Sequence, residues 1–209
     1  MKILVTGFEP FDGASVNESW EAVQELAARW AAAGHPEELV VARLPVTFDG
    51  ARARVRELLA EHAPQVVVCT GLATGASTVR LERVAINVAD ARIPDNAGRS
   101  PVDEPVVVGG PVAHLSSLPL KAILVAVREA GIPVSVSNTA GTYVCNATFY
   151  ALAHAVAGTG VPAGFVHVPA GDVVDAVTAA RALGIVVRTA ADHRAGLVVD
   201  LPVAAGAEH

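Results

Sequence analysis

The 209-residue sequence is poor in basic and aromatic residues, and these shortages exclude some classes of protein. Only 15 residues are Lys or Arg, and no basic run or basic–aromatic alternation occurs, which argues against binding of nucleic acid. No apolar run reaches the roughly 18 residues of a membrane-spanning helix, so no membrane association is expected. The apolar stretch near the N-terminus, residues 3–5, is too short for a signal peptide and predicts a first strand.

Cysteine is also scarce, because only Cys69 and Cys145 are present. Without a signal peptide, both are expected to be free thiols in a reducing, cytoplasmic compartment. No group of Cys or His residues has the spacing of a metal site, so no structural metal is expected.

Apolar residues are abundant, at 52% of the chain, while aromatic residues make up only 4%. Such a core of Ala, Val and Leu is typical of helices packed on a Val-rich parallel sheet. Short runs that predict strands lie near residues 2–6, 38–43, 65–70, 79–88, 132–138 and 163–168. Helical periodicity covers about 17–33, 49–62, 117–130, 145–157 and 172–191, with Asn17 and Asp49 as predicted N-caps and Gly34 and Gly131 as predicted ends. This alternation predicts one domain over residues 1–209 with an α/β fold: a three-layer α/β/α sandwich with a mostly parallel central sheet, an architecture of the phosphorylase/hydrolase-like kind.

Three segments leave alternatives open. Residues 93–116 have little periodicity and predict either an ordered excursion beyond the sheet or a mobile surface loop. Gly184 lies in the last helical pattern, where a continuous helix is favoured over a stop followed by a strand at 185–188. The final stretch, 197–209, is ambiguous: residues 197–199 predict either an edge strand or part of a frayed tail, and residues 204–209 predict a frayed tail.

The most informative segment is residues 142–148, where Cys145 falls in the first turn of a predicted helix that follows a predicted strand. A thiolate at that position lies close to the positive end of the helix dipole and to free backbone N–H groups, which favour its charged form and its use as a nucleophile. The alternative is a small buried core residue, which is the usual role of a free cysteine.

A nucleophilic thiol needs a base and an orienting group. His167 lies at the carboxyl end of a predicted strand, the edge at which catalytic groups of open parallel sheets gather, although a core histidine has a similar pattern. Glu82 lies in an otherwise apolar strand, where a buried carboxylate requires a partner. It either accepts a hydrogen bond from His167, or it forms a structural ion pair with Arg80 or Arg83.

Five segments of the chain resemble the pyroglutamyl peptidases, also called pyrrolidone-carboxylate peptidases. The segment around Cys145 is residues 139–146, the acid-bearing segment is 82–87 and the histidine segment is 164–169. The N-terminal loop is residues 7–11, and a further similar stretch is 91–96. They occur in the family's order between residue 3 and about residue 170. The resemblance implies an α/β/α sandwich, a cytoplasmic, cofactor-free and generally tetrameric cysteine peptidase, and a triad of Glu82, Cys145 and His167. Its substrates would be small peptides that begin with pyroglutamate.

The resemblance also implies residues that bind the substrate. Phe8 and Phe11 are expected to form apolar walls around the lactam ring, with simple core packing as the alternative. Arg92 is expected near the reacting carbonyl. The chain departs from the family at Leu72, where an amide side chain is usual, and at Tyr143, where Phe is usual.

A further departure is Ala76, where the family usually has Arg. These three changes bear on specificity more than on chemistry. Two other functions remain open from the sequence: a nucleoside-phosphorylase-like enzyme, which would need a phosphate site, and a small-ligand-binding protein with a relic site. No glycine-rich phosphate loop is present to support the first.

Overall fold

The computed structural model describes residues 1–206, which form an α/β sandwich built on a six-stranded sheet. The strands are β1 (Lys2–Phe8), β2 (Glu38–Leu44), β3 (Val66–Leu72), β4 (Val79–Glu82), β5 (Val84–Ile86), β6 (Ala113–Leu115), β7 (Val134–Ser137) and β8 (Ala163–Val168). The helices are α1 (Glu18–Ala33), α2 (Phe48–His62), α3 (Leu120–Glu129), α4 (Val144–Ala155) and α5 (Ala176–Arg194). None of these helices combines the length and the apolar composition that a crossing of a membrane requires.

The sheet has the strand order β2-β1-β3-β8-β4-β7. The first four of these strands run parallel, whereas β4 runs antiparallel to β8 and β7 runs parallel to β4. The predicted mostly parallel sheet is therefore confirmed, with two reversed strands at one side. Strands β5 and β6 form a separate antiparallel pair outside this sheet.

Helices cover both faces of the sheet, as predicted for three layers. Along β3, Val66 and Val68 pack into the cluster beneath α1, α3 and α5, whereas Val67 and Cys69 pack into the cluster beneath α2 and α4. Because a strand alternates its side chains between two faces, a strand buried on both sides has to be apolar at every position.

The helix ends were predicted correctly in part. The Asn17 side chain accepts a hydrogen bond from the Ser19 N–H at the start of α1, and Gly34 ends that helix in the left-handed region, at φ 64°. The prediction of Asp49 as an N-cap is wrong, because Thr47 occupies the cap of α2 without a side-chain hydrogen bond. The carboxylate of Asp95, which lies far along the chain, caps the helix instead, because it accepts a hydrogen bond from the Phe48 N–H over 2.9 Å.

The prediction of one strand over residues 79–88 is wrong. The ladder with β7 reaches Arg83, whose N–H donates to the Ser137 carbonyl, and the chain then leaves the sheet as β5 to pair with β6. The β6 strand lies within the 93–116 excursion and had no signal in the sequence. The excursion is ordered by hydrogen bonds, for example from the Asn87 amide to the carbonyls of Val107 and Gly110.

At the C-terminal end, α5 continues through Gly184 as predicted. The predicted edge strand at 197–199 is wrong, because this stretch is irregular. It leads to Asp200, whose carboxylate accepts hydrogen bonds from the backbone N–H groups of Lys121 and Ala122 at the start of α3. The predicted frayed tail reaches residues 207–209, which lie outside the described part of the chain.

Candidate active site

Helix α4 presents Cys145 in its first turn. The helix's own ladder begins where the Ala147 N–H donates to the Tyr143 carbonyl, so the N–H groups of residues 144–146 precede it. Cys145 is partly exposed, and its thiol lies at the positive end of the helix dipole. The first turn therefore offers both a thiol and backbone donors on the same side of the sheet.

A glycine on the neighbouring strand makes room for this thiol. Gly71 of β3 lies opposite His167 in the parallel pair with β8. A Cβ atom on Gly71 would be 2.8 Å from Cys145 Sγ and 2.9 Å from Phe165 Cζ, closer than real Cβ contacts come. The absence of a side chain at position 71 thus lets the thiol reach the sheet.

His167 and Glu82 meet diagonally across two antiparallel strands. His167 lies opposite Arg80, and Glu82 lies opposite Phe165, so the two side chains share the face that α4 covers. His167 Nδ1 and Glu82 Oε1 are 2.8 Å apart. Glu82 thus reaches the histidine from a strand that runs antiparallel to β8. Within residues 1–206, neither Arg80 nor Arg83 lies within ion-pair distance of Glu82.

The imidazole is held in a charged environment. With Nδ1 bound to Glu82, Nε2 is the nitrogen that remains for the neighbouring Cys145 thiol. Burial lowers the pKa of His167, but the hydrogen bonds to Cys145 and Glu82 outweigh burial and raise the pKa to about 9. The arrangement therefore favours an imidazolium beside the sulfur.

An apolar cavity of about 150 Å³ opens beside Cys145 and His167. Its other lining residues are Phe8, Phe11, Asn17, Val46, Leu72, Ala140, Tyr143 and Val144. Four of the five residues predicted to bind a substrate are thus brought together around the thiol. The fifth, Arg92, is exposed and lines a separate depression with Asp90 and Thr142.

The aromatic walls of the cavity are fixed by their neighbours. Phe8 is almost fully buried and packs on Phe165, with ring centroids 6.5 Å apart. It therefore forms a wall of the cavity and also packs in the core, so both alternatives apply to it. Tyr143 packs edge-on against Phe48, and its hydroxyl donates to the Pro94 carbonyl over 3.0 Å. Burial raises the pKa of Tyr143 to about 12, which keeps its hydroxyl neutral. Ala76 is buried and does not line the cavity.

Sequence reasoning missed three residues of this site. Gly71 stood in an apolar strand with no sign of its contact with the thiol. Asn17 was predicted as a helix cap, which it is, but it also lines the cavity. Asn146 is fully buried and hydrogen-bonded to the chain that follows β5. A polar residue next to the nucleophile within an apolar helix was the one signal available for it.

The second cysteine differs from Cys145 in every respect that governs reactivity. Cys69 is fully buried in β3, and burial raises the pKa of its thiol to about 12. A thiol with such a pKa stays protonated at neutral pH, and the protonated form is a poor nucleophile.

Comparisons with known proteins concern the chain as a whole. A family model described as pyroglutamyl peptidase matches residues 1–198. The pyrrolidone-carboxylate peptidase of Thermococcus onnurineus is 52% identical over 171 residues, which cover 81% of this chain and 84% of that protein. The crystal structure of pyroglutamyl peptidase I from Bacillus amyloliquefaciens is 39% identical, with a TM-score of 0.84 over 92% of this chain and 96% of that one. The pyrrolidone carboxyl peptidase from Thermococcus litoralis is 32% identical, with a TM-score of 0.88 over 97% and 99% of the two chains.

Proposed function

Because the chain belongs to the pyroglutamyl peptidase family, we propose that Cys145, His167 and Glu82 are the catalytic residues with which it removes N-terminal pyroglutamate from peptides. The enzyme is a cysteine peptidase of the pyroglutamyl-peptidase I type. The observation that carries the assignment of residues is the buried His167, whose Nδ1 lies 2.8 Å from Glu82 Oε1 and which lines the same cavity as Cys145.

The first step is attack by the sulfur. Cys145 as a thiolate adds to the carbonyl carbon that joins pyroglutamate to the next residue, and the carbonyl oxygen takes the negative charge. The backbone N–H of Cys145, at the helix N-terminus, is our candidate for one donor to this oxyanion. Glu82 holds the His167 ring so that Nε2 faces the sulfur and carries the proton.

The second step releases the peptide. His167 donates its Nε2 proton to the leaving amine nitrogen as the C–N bond breaks, which leaves a thioester between Cys145 and the pyroglutamyl group. Neutral His167 then takes a proton from water, which adds to the thioester carbon. Breakage of the C–S bond releases pyroglutamate and restores the thiolate beside the imidazolium.

The cavity is suited to a flat, neutral ring. Phe8, Phe11, Leu72 and the ring of Tyr143 supply apolar walls, and Asn17 adds a polar amide to the lining. The Asn17 amide nitrogen donates one hydrogen to the Glu9 carbonyl over 2.9 Å. Its second hydrogen has no partner among residues 1–206 and is our candidate donor to the lactam carbonyl.

Other expectations from the resemblance stay predictions. A tetrameric assembly and a cytoplasmic location are proposed from it, together with short peptides as substrates. Arg92 was expected near the reacting carbonyl, but it lies outside the cavity next to Tyr143 and is proposed instead to contact the part of the peptide beyond pyroglutamate. A nucleoside-phosphorylase-like activity is not favoured, because the matching family is a peptidase family. A relic site is disfavoured by the paired histidine and thiol.

The test is release of a fluorogenic amine from its pyroglutamyl amide, with the prolyl amide as the matched substrate control and Cys145→Ala as the enzyme control. We expect turnover of the first amide that Cys145→Ala abolishes. Unchanged turnover in Cys145→Ala would exclude this cysteine as the nucleophile, and absence of turnover with intact thiol reactivity would favour a binding protein.

A further inference from the structure

The Asn146 side chain joins the helix of the nucleophile to the chain that leaves the carboxylate. Its Oδ1 accepts a hydrogen bond from the Ile86 N–H over 3.0 Å. Its Nδ2 donates to the Ile86 carbonyl over 3.0 Å and to the Val88 carbonyl over 2.9 Å. The amide is fully buried, and these three bonds use both of its hydrogens and its oxygen.

These hydrogen bonds connect the segment that carries Cys145 to the segment that carries Glu82. Asn146 directly follows Cys145 in the first turn of α4, and Ile86 ends the β5 strand that begins two residues after Glu82. The chain between Glu82 and Ile86 is itself held at Arg83, whose N–H donates to the Ser137 carbonyl. A shift of the first turn of α4 would therefore break the Asn146 bonds before it could carry the thiol away from His167.

We propose that Asn146 is a positioning residue that sets the distance between the Cys145 thiol and the His167–Glu82 pair. The proposal rests on the catalytic roles proposed above. Asn146 does not line the cavity and touches no reacting atom, so it acts through the placement of Cys145. An ångström of misplacement in such a site costs roughly a hundredfold in rate.

The chain contains a matched control for this proposal. Asn87, next to Ile86, also makes three hydrogen bonds to backbone groups: it donates to the carbonyls of Val107 and Gly110 and accepts from the Val107 N–H. It holds the 93–116 excursion and makes no hydrogen bond to α4 within the described residues. Asn87→Ala therefore removes an equal number of side-chain hydrogen bonds to the backbone, but it leaves in place the hydrogen bonds that Asn146 makes from the first turn of α4.

The experiment compares Asn146→Ala and Asn146→Ser with Asn87→Ala in three measurements: thermal unfolding, kcat and KM for a pyroglutamyl amide, and the rate of alkylation of Cys145 by iodoacetamide as a function of pH. All of these variants are expected to unfold at lower temperature. Only the Asn146 variants should lower kcat, by about tenfold to a hundredfold with little change in KM. Only they should lower the alkylation rate at neutral pH, because a thiol displaced from the imidazolium loses its charged partner.

A kcat and an alkylation profile that match those of Asn87→Ala would overturn the proposal and leave Asn146 a purely structural residue. If Asn146→Ala does not fold, Asn146→Ser decides, since its hydroxyl keeps part of the hydrogen bonding; wild-type kcat and alkylation in that variant would also overturn it. Alkylation requires no peptide substrate, so it tests the placement of the thiol independently of the proposed function. A protein that fails to cleave pyroglutamyl amides would contradict the proposed function, and the alkylation rates of its variants would still decide the role of Asn146.

Discussion

Gly71 and Cys145 compete for one position in the packing of the site. The Cβ atom that an alanine would carry at position 71 falls 2.8 Å from the Cys145 sulfur, and Phe165 closes the other side at 2.9 Å. Phe165 is fully buried, whereas Cys145 is partly exposed, so the sulfur is the neighbour that would have to move. The position of the thiol therefore depends on a residue that has no side chain.

Gly71→Ala should lower kcat strongly while the protein stays folded. Overpacking of this kind costs on the order of 1–3 kcal/mol of stability, and displacement of the sulfur by an ångström costs roughly a hundredfold in rate. The measurement is kcat/KM for a pyroglutamyl amide together with the thermal unfolding temperature. Gly75→Ala is the control, because a Cβ there meets nothing within 4 Å. Equal activity of the two variants would show that the sulfur tolerates a Cβ at position 71.

The two thiols should react at very different rates. Cys145 is partly exposed beside an imidazolium, whereas Cys69 is buried with its pKa raised to about 12 by desolvation. One equivalent of iodoacetamide should therefore label Cys145 first, with activity lost in proportion. Cys69→Ala should be inactivated at the wild-type rate. Peptide mapping that finds the label on Cys69 in inactivated enzyme would remove Cys145 from the mechanism.

Glu82→Gln should move the basic limb of the pH profile to lower pH. The pKa of His167 is raised from about 6.5 to about 9, with Glu82 among the causes, so the imidazolium persists up to that pH in the wild type. Its stabilisation of the fold is complete below about pH 6.5 and is lost as the pH rises through 9. Glutamine keeps an oxygen for Nδ1–H but removes the charge, so the pKa of His167 should fall.

The measurement is kcat/KM against pH for the wild type and Glu82→Gln, with His167→Ala and Cys145→Ala as references. The two references should lose similar amounts of activity, because nucleophile and base act as a unit, and Glu82→Gln should lose less. A basic limb that stays near pH 9 in Glu82→Gln would mean that Glu82 does not hold the proton on His167.

Within residues 1–206, local pattern was sufficient to predict the five helices and the six strands of the main sheet, although not the β5–β6 pair. The apolar residues of each strand and helix repeat with the period of that element. Cys145, His167 and Glu82 stand out because they occupy positions where an apolar residue would be usual. The direction of β4 was not accessible in this way, because an apolar run has the same pattern in either direction. The diagonal contact of Glu82 with His167 follows from that direction alone.

The missed residues share a physical reason. Asp95 caps α2 from 47 residues away along the chain, and Asn146 bonds a segment 60 residues before it. Gly71 matters through the space that it leaves for a residue on another element. Each role is defined by a long-range contact, and the sequence neighbourhood of a residue carries no record of such contacts.

The last prediction concerns Leu72, which lines the cavity where the resemblance implies an amide side chain. Leucine forms no hydrogen bond, and the adjacent Ala73 N–H is already committed to the Val168 carbonyl over 2.9 Å. One missing hydrogen bond to a neutral lactam is worth about 0.5–1.5 kcal/mol, or roughly two- to tenfold in kcat/KM. The present enzyme should therefore discriminate weakly against prolyl amides.

Leu72→Gln should raise the ratio of kcat/KM for the pyroglutamyl amide to that for the prolyl amide, since only the first has a carbonyl and an N–H in its ring for an amide to bind. Leu72→Met is the control, because it keeps the volume and adds no hydrogen-bonding amide. The ratio, measured with both substrates in all three proteins, should rise in Leu72→Gln alone. A ratio that is the same in all three would assign the recognition of the ring to Asn17 and the backbone, with the side chain at position 72 serving only as an apolar wall.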